Sequence, residues 1–269
     1  MDISFIFAAD IHGDISAMEA LMKKGSDEGY PPLVLGGDLF RSGSGNDPHS
    51  QEVFLRDRLR PVISRYRGDV LTIFGNNDWR STAEKLPELC PSILPLGKEP
   101  VTLDDGAELI GFSFVPPTPF IIKDWERPES SGRGSERGGS MNGLCSGDRG
   151  MEECSIKGRE TIREELLKLG PLKGRILVSH GPPFGTCADI SGGGRHLGSR
   201  DLTEIIREEH PLAVLSGHIH EAPFISGKAV CSMSGTLIAN PGRRWDAPTC
   251  IIASFREGDL SLEHAILGK

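Results

Sequence analysis

No apolar run in this chain approaches the roughly 20 residues that a membrane-spanning helix needs. The opening residues, Met1-Asp2-Ile3-Ser4-Phe5-Ile6-Phe7, carry no basic segment ahead of their apolar part. They read as a strand and not as a signal peptide. Together these two absences predict a cytoplasmic protein without a membrane partner. A basic excess is missing too: 30 Lys and Arg stand against 38 Asp and Glu, a formal net charge of −8. Sequence-independent binding of nucleic acid is therefore not favoured. The six cysteines form no CxxC pair, and without a secretory context an even count is weak support for bridges. Reduced thiols are the expectation. Cys145 and Cys154, in one irregular stretch, are the pair placed to be the exception.

What is present suits a soluble fold. Hydrophobic residues make up 37% of the 269 residues and charged residues 25%, enough for a sizeable core. Neither an internal repeat nor a linker is visible, so a single domain over 1–269 is expected. The exception is residues 126–157, where Gly, Ser, Arg and Glu dominate and apolar residues almost vanish. That composition predicts a flexible insertion or lid. Its Arg127, Arg133, Arg137 and Arg149 are in position to meet an anionic substrate, or to lie solvated.

Several short apolar runs each end in polar residues. Ile3 to Ala9 reads as a buried strand and ends at Asp10-Ile11-His12-Gly13-Asp14. A helix follows from Ile15 to about Lys24, with Ile15, Met18, Leu21 and Met22 at helical spacing. Leu33 to Leu35 ends at Gly36-Gly37-Asp38, and Val70 to Phe74 ends at Gly75-Asn76-Asn77-Asp78. Asp47-Pro48 opens another helix with a capping residue and a proline in the first turn. Asp104-Asp105-Gly106 turns a hairpin. Arg175 to Val178 ends at Ser179-His180, and Leu212 to Leu215 ends at Ser216-Gly217-His218-Ile219-His220. The segments after it, Phe224 to Ser226 among them, read as β. Ligand crevices lie at the carboxyl ends of parallel strands, so the polar ends of these runs are expected to meet.

Asp10, His12, Asp38, Asn76, His180, His218 and His220 then form one set of ligand candidates. Oxygen and imidazole donors without thiolates suit Mn²⁺, Fe²⁺, Zn²⁺ or Ni²⁺. A carboxylate can bridge two cations about 3.5–4 Å apart with a hydroxide between them. Two divalent cations, two aspartates and a hydroxide leave roughly one positive charge, which attracts phosphate.

In order along the chain, Asp10-Ile11-His12, Gly37-Asp38, Gly75-Asn76-Asn77-Asp78, His180 and Gly217-His218-Ile219-His220 resemble the five blocks of the calcineurin-like metallophosphoesterase superfamily. The contexts Ser179-His180-Gly181-Pro182-Pro183 and Gly217 to Glu221 resemble its smaller, single-domain, Icc-like branch. The resemblance implies an α/β fold, a four-layer αββα sandwich of two mixed sheets flanked by helices. It implies two divalent metal ions, one on Asp10, His12 and His220, the other on Asn76, His180 and His218, with Asp38 bridging. It further implies a phosphohydrolase in which a metal-bridging hydroxide attacks phosphorus in line.

One position departs from the pattern. Many members have histidine where this chain has Asn77, and that histidine protonates the leaving group. An amide donates a hydrogen bond but is no general acid near neutral pH. Esters with good leaving groups are then favoured, or another residue supplies the proton. His196, in the glycine-rich loop 191–199, is the candidate; the alternative is a loop histidine touching only solvent or backbone. Asn240-Pro241-Gly242-Arg243-Arg244 either brings an arginine to substrate phosphate or forms a surface turn. Trp79 either stacks on a base or packs. His49, His210 and His264 are not expected to be ligands. A phosphodiesterase is the leading reading. A protein-binding scaffold with little activity and a phosphomonoesterase or phosphoprotein phosphatase are the alternatives.

Overall fold

Alternation along the first strand decides the layering. In a computed structural model, which describes residues 3–43, 45–131, 138–148 and 150–268, Phe5 and Phe7 face one way and Ile6 and Ala8 the other, all buried. Successive side chains of a strand leave on opposite faces, so an unbroken apolar run means cover on both sides.

In chain order the elements are β1 (Phe5–Ala8), α1 (Ile15–Asp27), β2 (Leu33–Gly36), α2 (Pro48–Phe54) and, after a π-helical segment Leu55–Leu59, α3 (Arg60–Ile63). Next come β3 (Val70–Ile73), α4 (Arg80–Glu84), α5 (Leu86–Leu89), β4 (Leu94–Pro95), β5 (Val101–Thr102) and β6 (Glu108–Phe112). The second half holds β7 (Asn142–Gly147), β8 (Gly150–Ser155), α6 (Ile162–Leu167), β9 (Ile176–Ser179), α7 (Arg200–Glu209) and β10 (Ala213–Leu215). It closes with α8 (Ala222–Ser226), β11 (Val230–Met233), β12 (Thr236–Ala239), β13 (Thr249–Arg256) and β14 (Asp259–Ile266).

Two six-stranded mixed sheets result, ordered β14-β13-β1-β2-β3-β4 and β11-β12-β10-β9-β6-β5. Strands β1 to β4 run parallel, with Phe7 beside Val34 and Val34 beside Leu71. In the second sheet β6, β9, β10 and β12 run parallel, with Leu215 beside both Val178 and Ala239. The inner layer packs Phe5, Phe7, Val34, Leu71 and Ile73 against Leu109, Ile176, Val178, Ala213 and Leu215. The outer face of the first sheet is covered by Met18, Leu21, Leu55 and Leu59, that of the second by Ile162, Leu166, Leu202 and Ile206. This is the αββα sandwich. Asp47 caps α2, with Pro48 in its first turn, as the sequence predicts, and Asp14 caps α1.

Two expectations are corrected. Phe224 to Ser226 belongs to α8 and not to a strand. Pro223 suits a first helical turn, and Gly227 at φ 71° ends it in the left-handed region. The thiol expectation fails for Cys187 and Cys231, which form a disulfide with Cα atoms 6.2 Å apart; Cys145–Cys154, the pair expected to be the exception, is bridged at 5.8 Å, while Cys90 and Cys250 are free and buried. The meeting of a loop with β11 brings Cys187 and Cys231 within bridging distance, which spacing in sequence does not reveal. The stretch predicted to be a flexible insertion contains the antiparallel hairpin β7–β8. The buried carboxylate of Asp124 accepts from the Ser146 amide at 2.9 Å, the Ser146 hydroxyl at 2.6 Å and the Arg80 amide at 2.9 Å.

Candidate metal centre

The seven ligand candidates stand at the carboxyl ends of five parallel strands, three from one sheet and two from the other: β1 for Asp10 and His12, β2 for Asp38, β3 for Asn76, β9 for His180, and β10 for His218 and His220. The chain must turn sharply after each strand to present them. Asp10, His12, Asp38 and His218 have φ of 57°, 49°, 53° and 65°. Left-handed backbone is costly for such residues and persists where the surroundings impose it. Eight non-glycine residues adopt it among those described, so half of this strained set lies in the site. Glycines let the turns approach. A Cβ on Gly75 would lie 2.2 Å from Asp38 Oδ1 and 2.6 Å from His180 Cε1; one on Gly217 would lie 2.4 Å from Asp10 Oδ2.

Two groups of donors converge. Asp10, His12 and His220 offer atoms within 4.8 Å of one another, and so do Asp10, Asp38 and His180. Asp38 points one oxygen each way: Oδ2 lies 3.7 Å from His12 Nε2 and Oδ1 lies 3.4 Å from His180 Nε2. Asp10 Oδ1 is 3.4 Å from His220 Nε2. The His218 amide donates to both oxygens of Asp10, at 3.1 and 2.9 Å. The His218 ring lies edge-on to His180, centroids 5.1 Å apart, outside both close groups.

The tautomers test whether a cation fits. His180 Nδ1 lies 2.8 Å from the Gly36 carbonyl and His12 Nδ1 lies 3.3 Å from that of Phe40. A carbonyl only accepts, so each Nδ1 carries the hydrogen and each Nε2 presents a lone pair. His180 Nε2 then faces Asn76 Oδ1 at 3.2 Å and Asp38 Oδ1, all acceptors. His12 Nε2 faces His220 Nε2 at 3.1 Å. Lone pairs meeting without a hydrogen, as on the His180 side, fit a cation between them, with the carbonyls orienting the rings from behind. Asn76 Nδ2 is buried without a partner, the arrangement left when the amide oxygen is turned inward.

Electrostatics agree. Burial raises the Asp10 carboxyl, but the nearby imidazoles of His220, His180 and His12 outweigh it and hold the group below the ordinary carboxylate range. Burial also raises Asp38, again outweighed by His180 and His12. Burial pushes His12 down against the pull of Asp38 and Asp10, which favours the neutral ring that ligates. Asp78, buried and beside Asp38, is driven well above the carboxylate range by burial first and then by that charge. It accepts from the amides of Gly75 at 2.8 Å and Phe40 at 3.3 Å.

The other candidates separate. Asn77 is at the site, but its amide groups both donate to Asp38: backbone to Oδ1 at 2.8 Å, Nδ2 to Oδ2 at 2.7 Å. His196 Nδ1 lies 2.7 Å from Asp189 Oδ1, a fully buried carboxylate. Its neighbour Leu197 packs on Ile219, between the two histidines of the last motif. Trp79 is 1% exposed and donates its indole N–H to Asn46, which excludes stacking on a ligand. Arg127 pairs with Glu165 at 3.1 Å, while Arg133, Arg137 and Arg149 lie outside the described residues. His210 and His264 contact backbone carbonyls. Sequence reasoning missed Asp189 and Gln51, and left open whether the turn opened by Asn240 approaches the site. Gln51, 2% exposed, donates to the Asn77 carbonyl at 2.7 Å and accepts from the Trp79 amide at 2.9 Å. Lone polar residues in helices and loops give no periodic signal.

Residues 3–222 match the family described as calcineurin-like phosphoesterase. The chain belongs to that family. Its members are phosphoesterases that bind divalent metals, so this chain is a metal-dependent phosphoesterase by family. No curated protein matches it in sequence. Among solved structures it is similar to TT1561 of Thermus thermophilus, with TM-score 0.56 and 14% identity over 98% of this chain and 99% of that one. A second solved structure aligns at TM-score 0.66 and 16% identity, covering 96% of this chain and 97% of that one. At these identities the likeness is one of fold. No helix among the described residues is long and apolar enough to cross a membrane.

Proposed function

We propose that this phosphoesterase is a phosphodiesterase working with two divalent cations. The observation that carries the reading is the convergence of bare acceptor atoms on both sides of Asp38. Asp10, His12 and His220 would hold one cation, and Asn76, His180 and His218 the other, with Asp38 between them. When bound, the cations supply Lewis acidity toward phosphoryl oxygens and lower the pKa of water. Mn²⁺, Fe²⁺, Zn²⁺ and Ni²⁺ all suit these donors.

The chain's own residues do the rest. Asn77 holds both oxygens of Asp38 in place, so its amide orients a ligand and does not face a leaving group. Asp189 fixes the His196 ring through Nδ1 and leaves Nε2 turned away from it. The loop that carries His196 is tied to the last motif by Leu197 on Ile219 and by the Gly192 amide on Glu221 Oε1 at 3.0 Å. His196 is accordingly our general acid for the departing alkoxide. The two disulfides suit an oxidising compartment.

The test is turnover of bis(p-nitrophenyl) phosphate against p-nitrophenyl phosphate after reconstitution with each metal. Faster turnover of the diester, abolished in Asp38→Ala, is expected. Absence of turnover with every metal would favour the protein-binding scaffold, and faster turnover of the monoester would favour a phosphomonoesterase.

A further inference from the structure

Beside the metal centre runs a groove of about 1050 Å³ between α1 and the strand β14. Asp10 lies in its wall at one end, and the loop Arg243-Arg244-Trp245 forms another part of that wall. This loop is held rigidly against the last motif. Asn240 is fully buried, and its Nδ2 donates to the carbonyls of Gly217 and Ile219 at 3.1 Å each. Its Oδ1 accepts from the Gly242 amide at 2.7 Å. The Arg243 amide donates to the His220 carbonyl at 3.0 Å. Gly242, at φ 66°, makes the approach possible, because a Cβ there would meet Pro223 Cγ at 2.5 Å.

Two side chains on this clamp, Arg243 and Trp245, have no structural employment. Arg244 is paired with Asp246, whereas Arg243 makes no ion pair among the described residues. Half-buried, it lies in the field of Asp10, Asp14 and Asp38. Its guanidinium stacks on the Trp245 ring at 4.0 Å, which leaves its N–H edge free for an oxyanion. Trp245 is 84% exposed, whereas Trp79 is buried and Trp125 partly so. Its ring, amphipathic and open to water, stands in the groove wall where it can meet what the groove binds.

We infer that Arg243 and Trp245 form a nucleotide subsite: Arg243 binds a phosphoryl oxygen of the substrate, and the open face of Trp245 stacks on its base. The inference rests on the phosphoesterase reading of the same centre and names its substrate class, a small nucleotide phosphodiester. A long nucleic-acid strand fits the groove poorly. Apart from Arg243, its cations are neutralised by their own partners, Lys23 by Asp27, Lys24 by Glu28 and Arg244 by Asp246, and Asp14, Glu19 and Glu263 add negative charge.

The test has two arms. In metal-free protein, adenosine 5′-monophosphate is expected to quench tryptophan fluorescence saturably, with ribose 5-phosphate at least tenfold weaker as a competitor. In Mn²⁺-reconstituted protein, kcat/KM is compared for the p-nitrophenyl ester of thymidine 5′-monophosphate and for methyl p-nitrophenyl phosphate. Trp245→Leu should remove the quenching and lower the nucleotide-to-methyl ratio about tenfold, within the range for base–aromatic stacking; Trp245→Phe should keep most of both. Arg243→Met should weaken both esters, with Arg243→Lys partly restoring them. Equal binding of the two monophosphates, or a ratio unmoved by Trp245→Leu, overturns the subsite. Turnover of both esters with an unmoved ratio leaves the phosphodiesterase standing without it. Base-dependent binding without turnover of either ester leaves the subsite standing and removes the phosphodiesterase reading.

Discussion

Substituting Gly217 separates folding from metal binding. Its φ is not in the left-handed region, so alanine is tolerated by the backbone. Space forbids it: the new Cβ would lie 2.4 Å from Ala9 Cβ and 2.4 Å from Asp10 Oδ2. Ala9 is fixed in the core, so the carboxylate of Asp10 must move. Asp10 belongs to both donor groups, and its displacement should weaken both. Overpacking of this kind costs about 1–3 kcal/mol, so the metal-free variant should melt a few degrees lower. The larger effect is on linkage. A cation at 100 times its Kd stabilises by about 2.7 kcal/mol, and in a domain of this size 1 kcal/mol shifts Tm by about 2–4 °C. Wild-type protein should therefore gain roughly 5–10 °C when Mn²⁺ or Zn²⁺ replaces EDTA. Gly217→Ala should gain almost nothing. Gly193→Ala, where a Cβ meets open space, is the control and should match wild type. Differential scanning fluorimetry with and without metal reads all three. A full metal-induced shift in Gly217→Ala would refute the placement of Asp10 at the centre.

Three further outcomes follow from the structure. Burial raises the Glu129 carboxyl to about 7, with the Ser199 hydroxyl and the Asp201 amide only partly opposing it. A folded-state pKa above the unfolded value means that its stabilising contribution is complete below about pH 4.5 and is lost as pH rises through about 7. Glu129→Gln should flatten the fall in Tm between pH 5 and 8, by an amount on the order of 3 kcal/mol at the alkaline end; an unchanged slope would count against the buried carboxyl. Non-reducing peptide mapping should find Cys145–Cys154 and Cys187–Cys231. Breaking the second, which closes 44 residues, should cost about 4 kcal/mol in urea unfolding; four alkylatable thiols in the native protein would contradict the pairing. His196→Ala should lower kcat little with a p-nitrophenyl ester and on the order of a hundredfold with an alkyl ester. An effect independent of the leaving group would remove His196 as the acid.

Much of this was legible before any coordinates. Each ligand candidate follows an apolar run, because a strand buried on both faces must be apolar throughout and must give way to polar residues where it leaves the sheet. Asp10, His12, Asp38, Asn76, His180, His218 and His220 therefore announce themselves by position as well as by type. The cap Asp47 was readable because its hydrogen bond reaches only three residues along the chain. Other features are written in contacts between distant segments. Asp38 was identifiable as a ligand candidate, but that its oxygens point to opposite histidines depends on β2 lying between β1 and β3 and on the second sheet packing across it. Asn77, adjacent in sequence to a candidate ligand, proves to hold Asp38 because the turn after β3 folds back over the end of β2. Cys187 and Cys231 become partners only when the loop after β9 meets β11, and His196 gains its carboxylate only when that loop closes on Asp189. The order of short apolar strands and polar ends was determined by sequence alone, since alternation and chain-local hydrogen bonds are properties of neighbours. Which lone pairs face one another, which arginine stays unpaired and which tryptophan stays wet were decided by the tertiary structure, because each depends on segments far apart in the chain meeting at the ends of two packed sheets.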